Sequence, residues 1–527
     1  MRAHPPIRAV FGAALGALVA AALVAVPAAS AQPAPSDSAH QLAKPSGGLT
    51  AQQRAELLKV AKDTWAFYQK DVDPKTHLPL DNLGPGGVRG TYTSAANIGV
   101  YLWAVVAASD MHLISHTKAV SLVKATLTEV STMERHDGFL LQWYDTTTGQ
   151  AILNPGDINC SQDPTPSNDN CYFLSAVDNG WYASGLVVAR QALPEVSGLA
   201  SSLLGDMDFS IFYDNRAQKP GCNTNPDIPG NQPTGQMYGG YYVDQGPAGY
   251  HNGALYSDPR IAMYMGMGLH QMPGDVWWRT WRTLPPMQCP TDPDFSWQGQ
   301  WPPEGYWTTI TDPQSGKQFN VWEGHYTYPG TDLKYIPTFG GGMFEGLMVN
   351  DVVPETTWGP QGFGLADART VQVQIKYATE KLGYPVWGMS PSSTPDDSGS
   401  YATYGVEGQT FPTGQQLSQC TTCASETAVT PHASFLALMT DPQAAYANIQ
   451  KLRTLYPDIY TSNGGFYDAV NPTTGSVGHR MLVLDQSMIM ASLDNALNGN
   501  RLQKYFAADP VSWAAHTYLS METMSLN

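Results

Sequence analysis

The 527-residue sequence has few basic residues: 28 lysines and arginines stand against 45 aspartates and glutamates, and the formal net charge is −17. Nucleic acids and anionic membrane surfaces are bound through basic side chains, so this balance argues against both as partners. Only 14% of the residues are charged, whereas 14 tryptophans and 27 tyrosines are present. This composition resembles that of extracellular proteins that handle neutral carbohydrates.

The sequence also lacks the motifs of two large hydrolase classes. Its 12 histidines form no HExxH or comparable zinc-ligand cluster, and no GxSxG nucleophile motif occurs. A zinc hydrolase and a serine esterase are therefore disfavoured, and we expect neither a catalytic metal nor a cofactor. No fixed repeat of about 34 to 47 residues is visible, which argues against an α-solenoid.

Cysteine is scarce, with six residues in the whole chain. They fall as two pairs that flank irregular regions and one CxxC: Cys160 and Cys171, Cys222 and Cys289, and Cys420 and Cys423. In an exported chain such cysteines are expected to form disulfides within loops. The CxxC has neither a partner motif nor a thioredoxin-like pattern around it, so we interpret it as structural.

The N-terminus predicts an export signal. Arg2 and Arg8 precede an apolar run over residues 9–26, and the Ala-Ser-Ala at 29–31 offers a small-residue cleavage site. An uncleaved membrane anchor is the alternative. We predict a signal peptide at 1–31, a disordered leader at 32–48, and a secreted protein free of the membrane after cleavage.

Apolar residues recur at three- and four-residue intervals along the remainder of the chain, which predicts about twelve helices. The segments are 51–70, 95–111, 117–134, 179–196, 199–213, 259–270, 342–349, 366–382, 432–439, 442–455, 485–497 and 510–518. The long connections at 214–257 and 285–340 are of a length that usually carries function. We predict an all-α, monomeric (α/α)6 toroid over residues 49–527; an irregular all-α fold is the alternative.

Residues 319–355 combine carboxylates with flat aromatic rings. Glu323 and Glu345 lie among Trp322, Tyr326 and Tyr328. Aromatic faces stack on pyranose rings, while one carboxyl group protonates the leaving oxygen and another acts as base or nucleophile. This stretch predicts a glycosidase, although an acidic surface loop packed by aromatic residues has the same composition.

Nine blocks, in order, resemble a known family. They are GTYTSAANIGVYLWAVVAA (90–108), HDGFLLQWYDTTTG (136–149), SAVDNGWYASGLVVARQ (175–191), WEGHYTYPG (322–330), FGGGMFEGLMVNDVVPE (339–355), YPVWGMSPS (384–392), TPHASFLAL (430–438), GGFYDAV (464–470) and LDQSMI (484–489). Over roughly residues 55–510 the chain looks like the glucoamylase-like (α/α)6 proteins of glycoside hydrolase family 144, the endo-β-1,2-glucanases. The transglycosylating domain of cyclic β-1,2-glucan synthases looks similar. The resemblance implies an endo-acting β-1,2-glucanase with paired-carboxylate catalysis. The cysteine-bearing loops at 154–172, 214–236 and 285–305 look like insertions into this pattern.

In such a toroid the cleft lies over the N-terminal ends of the inner helices. We therefore predict four catalytic carboxylates: Asp145, Asp178, Glu323 and Glu345. Asp145 is also placed to close an Asx-turn, and Asp178 to take part in a capping box with Ser175. Glu323 is expected in an aromatic loop, where desolvation raises a carboxyl pKa. Glu345 is expected at a helix start, in an apolar setting.

Further acidic residues form a second tier of candidates: Asp468, Asp485, expected at a helix N-cap, and Glu407. Predicted sugar-stacking residues are Trp143, Trp181, Trp322, Tyr326 and Trp387, with Trp297, Trp301 and Trp307 as an outer subsite. Arg89 and Asn97 are predicted to hydrogen-bond sugar hydroxyls; their alternative role is to tie a loop to a helix start.

Two other functions are consistent with the same pattern. Many polysaccharide lyases share the toroid, and His251, His325 and His432 are candidate lyase bases. Lyases that act on uronic acids need basic residues, of which this chain has few. A secreted glycan-binding protein that has lost catalysis is the non-enzymatic alternative.

Overall fold

The computed structural model describes residues 48–153, 155, 172–215, 235–283, 304–406 and 425–527. The predicted signal peptide, nearly all of the leader, the six cysteines with their predicted disulfides, Glu407, Trp297 and Trp301 lie outside the described residues. Contacts group Pro45–Asn527 into one unit. No helix in the described ranges is long and apolar enough to cross a membrane.

Helices dominate the described part of the chain. They are α1 (Ala51–Asp71), α2 (Ala95–Asp110), α3 (His116–Val130), α4 (Ala176–Ala192), α5 (Ser197–Gly205), α6 (Arg260–Gly268), α7 (Asp275–Arg279), α8 (Met343–Leu347), α9 (Glu355–Trp358), α10 (Phe363–Lys376), α11 (Pro431–Leu436), α12 (Pro442–Leu455), α13 (Val483–Asn498), α14 (Arg501–Ala508) and α15 (Trp513–Met521). The predicted N-cap before α2 is confirmed, because the Ser94 hydroxyl accepts the Asn97 amide at 3.2 Å.

Small antiparallel sheets lie beside the helices. The strands are β1 (Asn82–Leu83), β2 (Arg89–Gly90), β3 (Tyr92–Thr93), β4 (Arg135–His136), β5 (Phe139–Leu140), β6 (Tyr144–Asp145), β7 (Phe173–Ser175), β8 (Gly240–Tyr242), β9 (Gly246–Pro247), β10 (Glu304–Thr311), β11 (Gln318–Thr327), β12 (Lys334–Tyr335), β13 (Ser392–Ser393), β14 (Tyr401–Ala402), β15 (Tyr460–Thr461), β16 (Gly465–Phe466), β17 (Ala469–Val470), β18 (Val477–Gly478) and β19 (Met481–Leu482).

The hairpin β10–β11 corrects one expectation. Glu323 lies in strand β11, where it pairs with Tyr306, and not in an irregular loop. The reason is the rich supply of aromatic and β-branched residues on both strands, which favours a pleated ladder.

Six helices contact one another in a cyclic order. Helix α4 packs against α2 and α6, and α13 packs against α2 and α11, while α11 also contacts α8. Arg260 of α6 joins α8 through hydrogen bonds to the carbonyl oxygens of Glu345 (3.4 Å) and Gly346 (2.5 Å). Helices α2 and α13 are buried on nearly every side, as expected for an inner layer.

Other helices cover this layer from outside. Helix α1 contacts α13, α3 contacts α2, α5 contacts α4, α10 contacts α8, α12 contacts α11, and α15 contacts α6. Helix α3 buries Ala119, Val123, Leu127 and Val130, a one-sided stripe at three- and four-residue spacing. The predicted helical class is confirmed, with small sheets added. The order of neighbours is the one that the predicted (α/α)6 toroid requires.

The closest helix packing depends on glycine. A Cβ atom at Gly99 of α2 would lie 2.4 Å from the Trp181 carbonyl oxygen, and one at Gly185 of α4 would lie 2.4 Å from the Gly99 carbonyl oxygen. The two backbones therefore touch directly. Their contact fixes where the first turns of α2 and α4 lie at one end of the inner layer.

Candidate active site

Polar side chains recur at the N-terminal ends of the six inner helices. The third residues of α2, α4, α8 and α13 are Asn97, Asp178, Glu345 and Asp485. Asp258 lies two residues before α6, and His432 lies in the first turn of α11. Helix N-termini carry partial positive charge, so they stabilise carboxylates placed there.

Asp258 and Glu345 form a carboxyl pair. Their side chains share a hydrogen bond, and Glu345 also accepts one from the Ser257 hydroxyl at 3.1 Å. Burial and the nearby Asp258 charge hold the pKa of Glu345 well above its usual range. Burial also raises the pKa of Asp258, against hydrogen bonds from Glu345 and Trp181. Glu345 is therefore the protonated member, donating to Asp258.

Asp178 lies next to this pair. Burial raises its pKa to about 6, Gln142 opposes the shift by donating to Oδ2 at 2.8 Å, and the Asp258 charge raises the pKa further. The Ser175 hydroxyl accepts the Asp178 amide at 3.2 Å, which is one half of the predicted capping box. Asp178 thus lies both in the capped first turn of α4 and beside the carboxyl pair.

A second carboxyl pair lies at the start of α13. Asp468 accepts the Leu482 amide at 3.1 Å and the Ser393 hydroxyl at 2.8 Å. Burial and the Asp485 charge hold the pKa of Asp468 well above its usual range. Asp485 lies inside α13, two residues beyond the first helical residue, so the predicted N-cap assignment is corrected.

Asp485 faces His432, with 3.1 Å between Oδ2 and Nδ1. Both side chains are buried, and within the described ranges neither forms a hydrogen bond of good geometry. Burying a carboxylate is costly unless a partner offsets the cost, and His432 is the group that faces Asp485 among the described residues.

Tyr401 connects the two pairs. Its hydroxyl is enclosed by surrounding groups although about half of the residue is open to solvent, and this enclosure, together with the nearby carboxyl groups of Asp485, Glu345, Asp258 and Asp81, holds its pKa well above the usual range. One phenol group therefore lies within electrostatic reach of carboxyl groups that come from four separate segments of the chain. We call Asp81, Asp178, Asp258, Glu345, Asp468 and Asp485 the carboxylate cluster.

Asp81 forms the edge of the cluster beneath α2. It accepts the side-chain amides of Asn97 and Asn82, each at 2.9 Å. Burial raises its pKa in spite of these bonds. The Asn97 side chain thus ties the segment that carries Asp81 to the start of α2, which is its predicted alternative role, and its binding to sugar stays a prediction.

Glu323 lies in a different group, formed with Arg282 and Glu522, which we call the Arg282 group. The Arg282 Nε atom is 4.0 Å from Glu323 Oε1 and donates to Glu522 at 3.0 Å. Burial raises the pKa of Glu323 to about 8, Glu522 adds to the rise, and Arg282 opposes it. The neighbouring Trp322 donates to the Thr283 hydroxyl at 3.2 Å and packs edge-on against Trp307.

The remaining predicted carboxylate and the predicted arginine have local partners. Asp145 Oδ1 accepts the amides of Thr147 (2.8 Å) and Thr148 (3.0 Å) and both of their hydroxyls, which is the Asx-turn. Arg89 donates to the carbonyl oxygens of Lys70 and Val72 and so ties its loop to the end of α1.

The predicted stacking residues lie in three settings. Trp181 is buried in α4 and donates to Asp258, which places it at the carboxylate cluster. Trp143 is half-buried and packs edge-on against Tyr92, whose hydroxyl is hydrogen-bonded to Asp81. Tyr326 and Trp387 belong to the hydrophobic core.

The candidate histidines also differ in surroundings. His251 is buried and lies 2.8 Å from Asp214, and His325 lies 3.0 Å from the Ser525 hydroxyl. Only His432 of the three faces a member of the carboxylate cluster. Among the described residues, no group of three or more His, Cys, Asp or Glu side chains is arranged to hold a metal ion.

Sequence reasoning missed Asp81, Asp258 and Tyr401. The signal for Asp258 was available, because Asp258-Pro259 before α6 repeats the pattern of Thr430-Pro431 before α11. Asp81 and Tyr401 lie on short strands or beside them, and their nearness to the cluster depends on tertiary pairing.

The chain is similar to glucan-active proteins. A family model described as "Putative glucoamylase" matches residues 340–510, and DUF3131, a family of unknown function, matches residues 59–219. The cyclic beta-(1,2)-glucan synthase NdvB of Rhizobium meliloti is 26% identical over 174 residues, which are 32% of this chain and 6% of that protein. The chain therefore matches only a small part of this curated relative.

Solved structures match nearly the whole chain. The endo-beta-1,2-glucanase of Chitinophaga pinensis has a TM-score of 0.60 at 14% identity, covering 88% of this chain and 98% of its own. The beta-1,2-glucanase of Parabacteroides distasonis has a TM-score of 0.64 at 15% identity, and the match covers 89% of this chain and 60% of that protein's chain. The endo-beta-1,2-glucanase of Talaromyces funiculosus, solved with sophorose, has a TM-score of 0.57 at 12% identity, covering 90% and 91%. These likenesses confirm the predicted resemblance and, at such identities, show a shared fold.

Proposed function

We propose that the protein is a secreted glycoside hydrolase, built on an (α/α)6 toroid, that cleaves β-1,2-linked glucan in an endo fashion. The observation that carries the proposal is the pair of Asp258 and Glu345, joined by a hydrogen bond within the carboxylate cluster. The linkage is proposed from the β-1,2-glucanases of the same fold. Secretion is proposed from the sequence of residues 1–31.

Glu345 is suited to be the general acid. A carboxyl group protonates a leaving glycosidic oxygen only if it keeps its proton near neutral pH. Burial and the Asp258 charge provide this condition at Glu345. Asp258 accepts the hydrogen bond from Glu345, and its charge keeps the proton on Glu345.

Asp485 is suited to be the opposing carboxylate. Its buried oxygens lack hydrogen-bond partners within the described ranges, and both Asp485 and Glu345 lie within electrostatic reach of Tyr401. In this role it takes a proton from the attacking water or attacks the anomeric carbon itself. NMR of the first-formed product distinguishes these two roles. Inversion of the anomeric configuration indicates that Asp485 acts as the base, and retention indicates that it acts as the nucleophile.

The test is product release from a panel of neutral glycans: β-1,2-glucan, β-1,3-glucan, starch and arabinan. We expect oligosaccharides from β-1,2-glucan, and a loss of about 10²–10⁴-fold in kcat for Glu345→Gln and Asp485→Asn. Glu380→Gln, which changes an exposed glutamate near the end of α10, is the matched control and should keep full activity.

Other outcomes would redirect the proposal. Cleavage of a different glycan retains the hydrolase and overturns the β-1,2 linkage. Unsaturated products indicate the lyase alternative. A glycan that binds and stays intact indicates the non-catalytic binding protein.

A further inference from the structure

Three tyrosines are exposed in the described part of the chain, and two of them border the carboxylate cluster. Tyr250 is 47% exposed, Tyr401 is 53% exposed and Tyr306 is 56% exposed. A tyrosine ring has a large apolar face, so an exposed tyrosine beside a cluster of acids offers a surface on which a sugar ring can stack.

Backbone hydrogen bonds place Tyr250 beside the start of α4. The Ala176 amide, at the first position of α4, donates to the Gly239 carbonyl at 3.1 Å, and the Gly239 amide donates to the Tyr250 carbonyl at 3.1 Å. A Cβ atom at Gly239 would lie 1.9 Å from the Tyr250 ring, so the ring rests on bare backbone. The Asp178 charge acts on the Tyr250 hydroxyl from the same helix start.

Strand register places Tyr401 beside the start of α13. Tyr401 pairs with Ser393 across β13 and β14, and the Ser393 hydroxyl donates to Asp468 at 2.8 Å. Asp468 also accepts the Leu482 amide, immediately before α13. The carboxyl groups of Asp485 and Glu345 lie within electrostatic reach of the Tyr401 hydroxyl, while about half of the residue stays open to solvent.

We infer that Tyr250 and Tyr401 are two stacking platforms that hold pyranose rings of a neutral glycan chain at separate positions along the carboxylate cluster. The inference rests on the proposed function and adds binding residues to it. Tyr250 lies at α4 and Tyr401 at α13, the two helices that flank α2. The apolar face of a pyranose ring covers an open phenol ring, while the neighbouring carboxylates accept its hydroxyl groups.

The kinetic test compares alanine and phenylalanine replacements at both sites. We expect Tyr250→Ala and Tyr401→Ala each to raise KM for β-1,2-glucan about tenfold. Tyr250→Phe and Tyr401→Phe keep the ring and should stay within about twofold. Tyr306→Ala, in the β10–β11 hairpin, is the control for removing an exposed tyrosine and should leave KM unchanged. Alanine variants with wild-type KM, in an enzyme that cuts the glycan, overturn the inference.

A binding measurement separates this inference from the proposed function. Retardation of the wild-type protein and each variant is measured by affinity electrophoresis in gels that contain each glycan of the panel. One possible result is that no glycan is cut but one glycan retards the wild-type protein. Loss of this retardation in both alanine variants then supports the two platforms, although the proposed hydrolase activity is rejected. If retardation persists in them, or no glycan retards the wild type, the platforms are rejected. Unchanged thermal unfolding of the alanine variants confirms that they are folded.

Discussion

The buried carboxyl group of Glu323 links pH to stability. Its pKa is about 8 in the folded protein against 4.5 for an ordinary glutamate, so the folded state holds the proton more tightly. Its contribution to stability is complete below pH 4.5 and is lost as the pH rises towards 8, at a cost of up to roughly 5 kcal/mol. Glutamine cannot ionise, so Glu323→Gln should be no more stable than wild type at low pH and clearly more stable at high pH.

Urea unfolding of both proteins at one pH below 4.5 and one above 8 checks this prediction. Glu380→Gln is the control, because its side chain is exposed and lies outside the Arg282 group. A difference between Glu323→Gln and wild type that is independent of pH would contradict the assigned burial.

Replacing Asp145 distinguishes a structural role in the Asx-turn from a catalytic role. Its Oδ1 accepts four hydrogen bonds from Thr147 and Thr148, and alanine would remove all of them. We expect Asp145→Ala to lower the free energy of unfolding by about 1–2 kcal/mol and to leave kcat unchanged. A fall in kcat comparable to that of Glu345→Gln would restore Asp145 to the catalytic set.

At the residue scale, helix starts indicated two members of the carboxylate cluster, Asp178 and Glu345. Their catalytic roles stay predictions. Glu323 was selected for its aromatic neighbours, but these neighbours fill the hairpin around the Arg282 group. Aromatic residues near a carboxylate in sequence thus do not reveal which cluster that carboxylate joins.

At the element scale, glycine determines how close two inner helices lie. Gly185→Ala would place a methyl group 2.4 Å from the Gly99 carbonyl oxygen, and this backbone atom can move away only if the helix itself shifts. Gly198 of α5 has open space around its Cβ position and provides the matched control. We expect Gly185→Ala to lower the free energy of unfolding by at least about 2 kcal/mol. Gly198→Ala should leave the free energy of unfolding unchanged or raise it by up to about 1 kcal/mol.

Thermal unfolding of the two variants checks this contrast. Equal effects in both would mean that helix propensity, and not contact between α2 and α4, dominates at Gly185. Because α2 and α4 carry Asn97 and Asp178 at their starts, we also expect Gly185→Ala to lower activity before it unfolds the protein.

Helical periodicity predicted most elements but not the sheets. The segment predicted at 95–111 corresponds to α2, and the one at 442–455 coincides with α12. The hairpin β10–β11 was assigned to a long connection, because its alternation is masked by glycine and aromatic residues on both faces. Two-residue strands such as β13 and β14 leave no periodic signal, so the position of Tyr401 was beyond sequence reasoning.

At the scale of the whole molecule, the acids converge because the inner helices present the same end to one side. Asp178, Glu345 and Asp485 lie in first turns, where partial positive charge offsets part of the cost of burying a carboxylate. No single segment of the sequence contains the site. Its members range from Asp81 to Asp485, and only the cyclic packing of the helices brings them together.

The net charge of −17 gives the last prediction, on ionic strength. A neutral glycan is neither attracted nor repelled at long range, so kcat/KM should stay nearly constant between low and high salt. A uronic acid polymer would be repelled in 0.01 M salt, where the Debye length is about 30 Å. In 1 M salt the Debye length is about 3 Å, so the repulsion would be screened. Initial rates on β-1,2-glucan across this range test the point. A rate that climbs steeply with salt would indicate an anionic substrate and move the polysaccharide lyase alternative ahead of the glucanase.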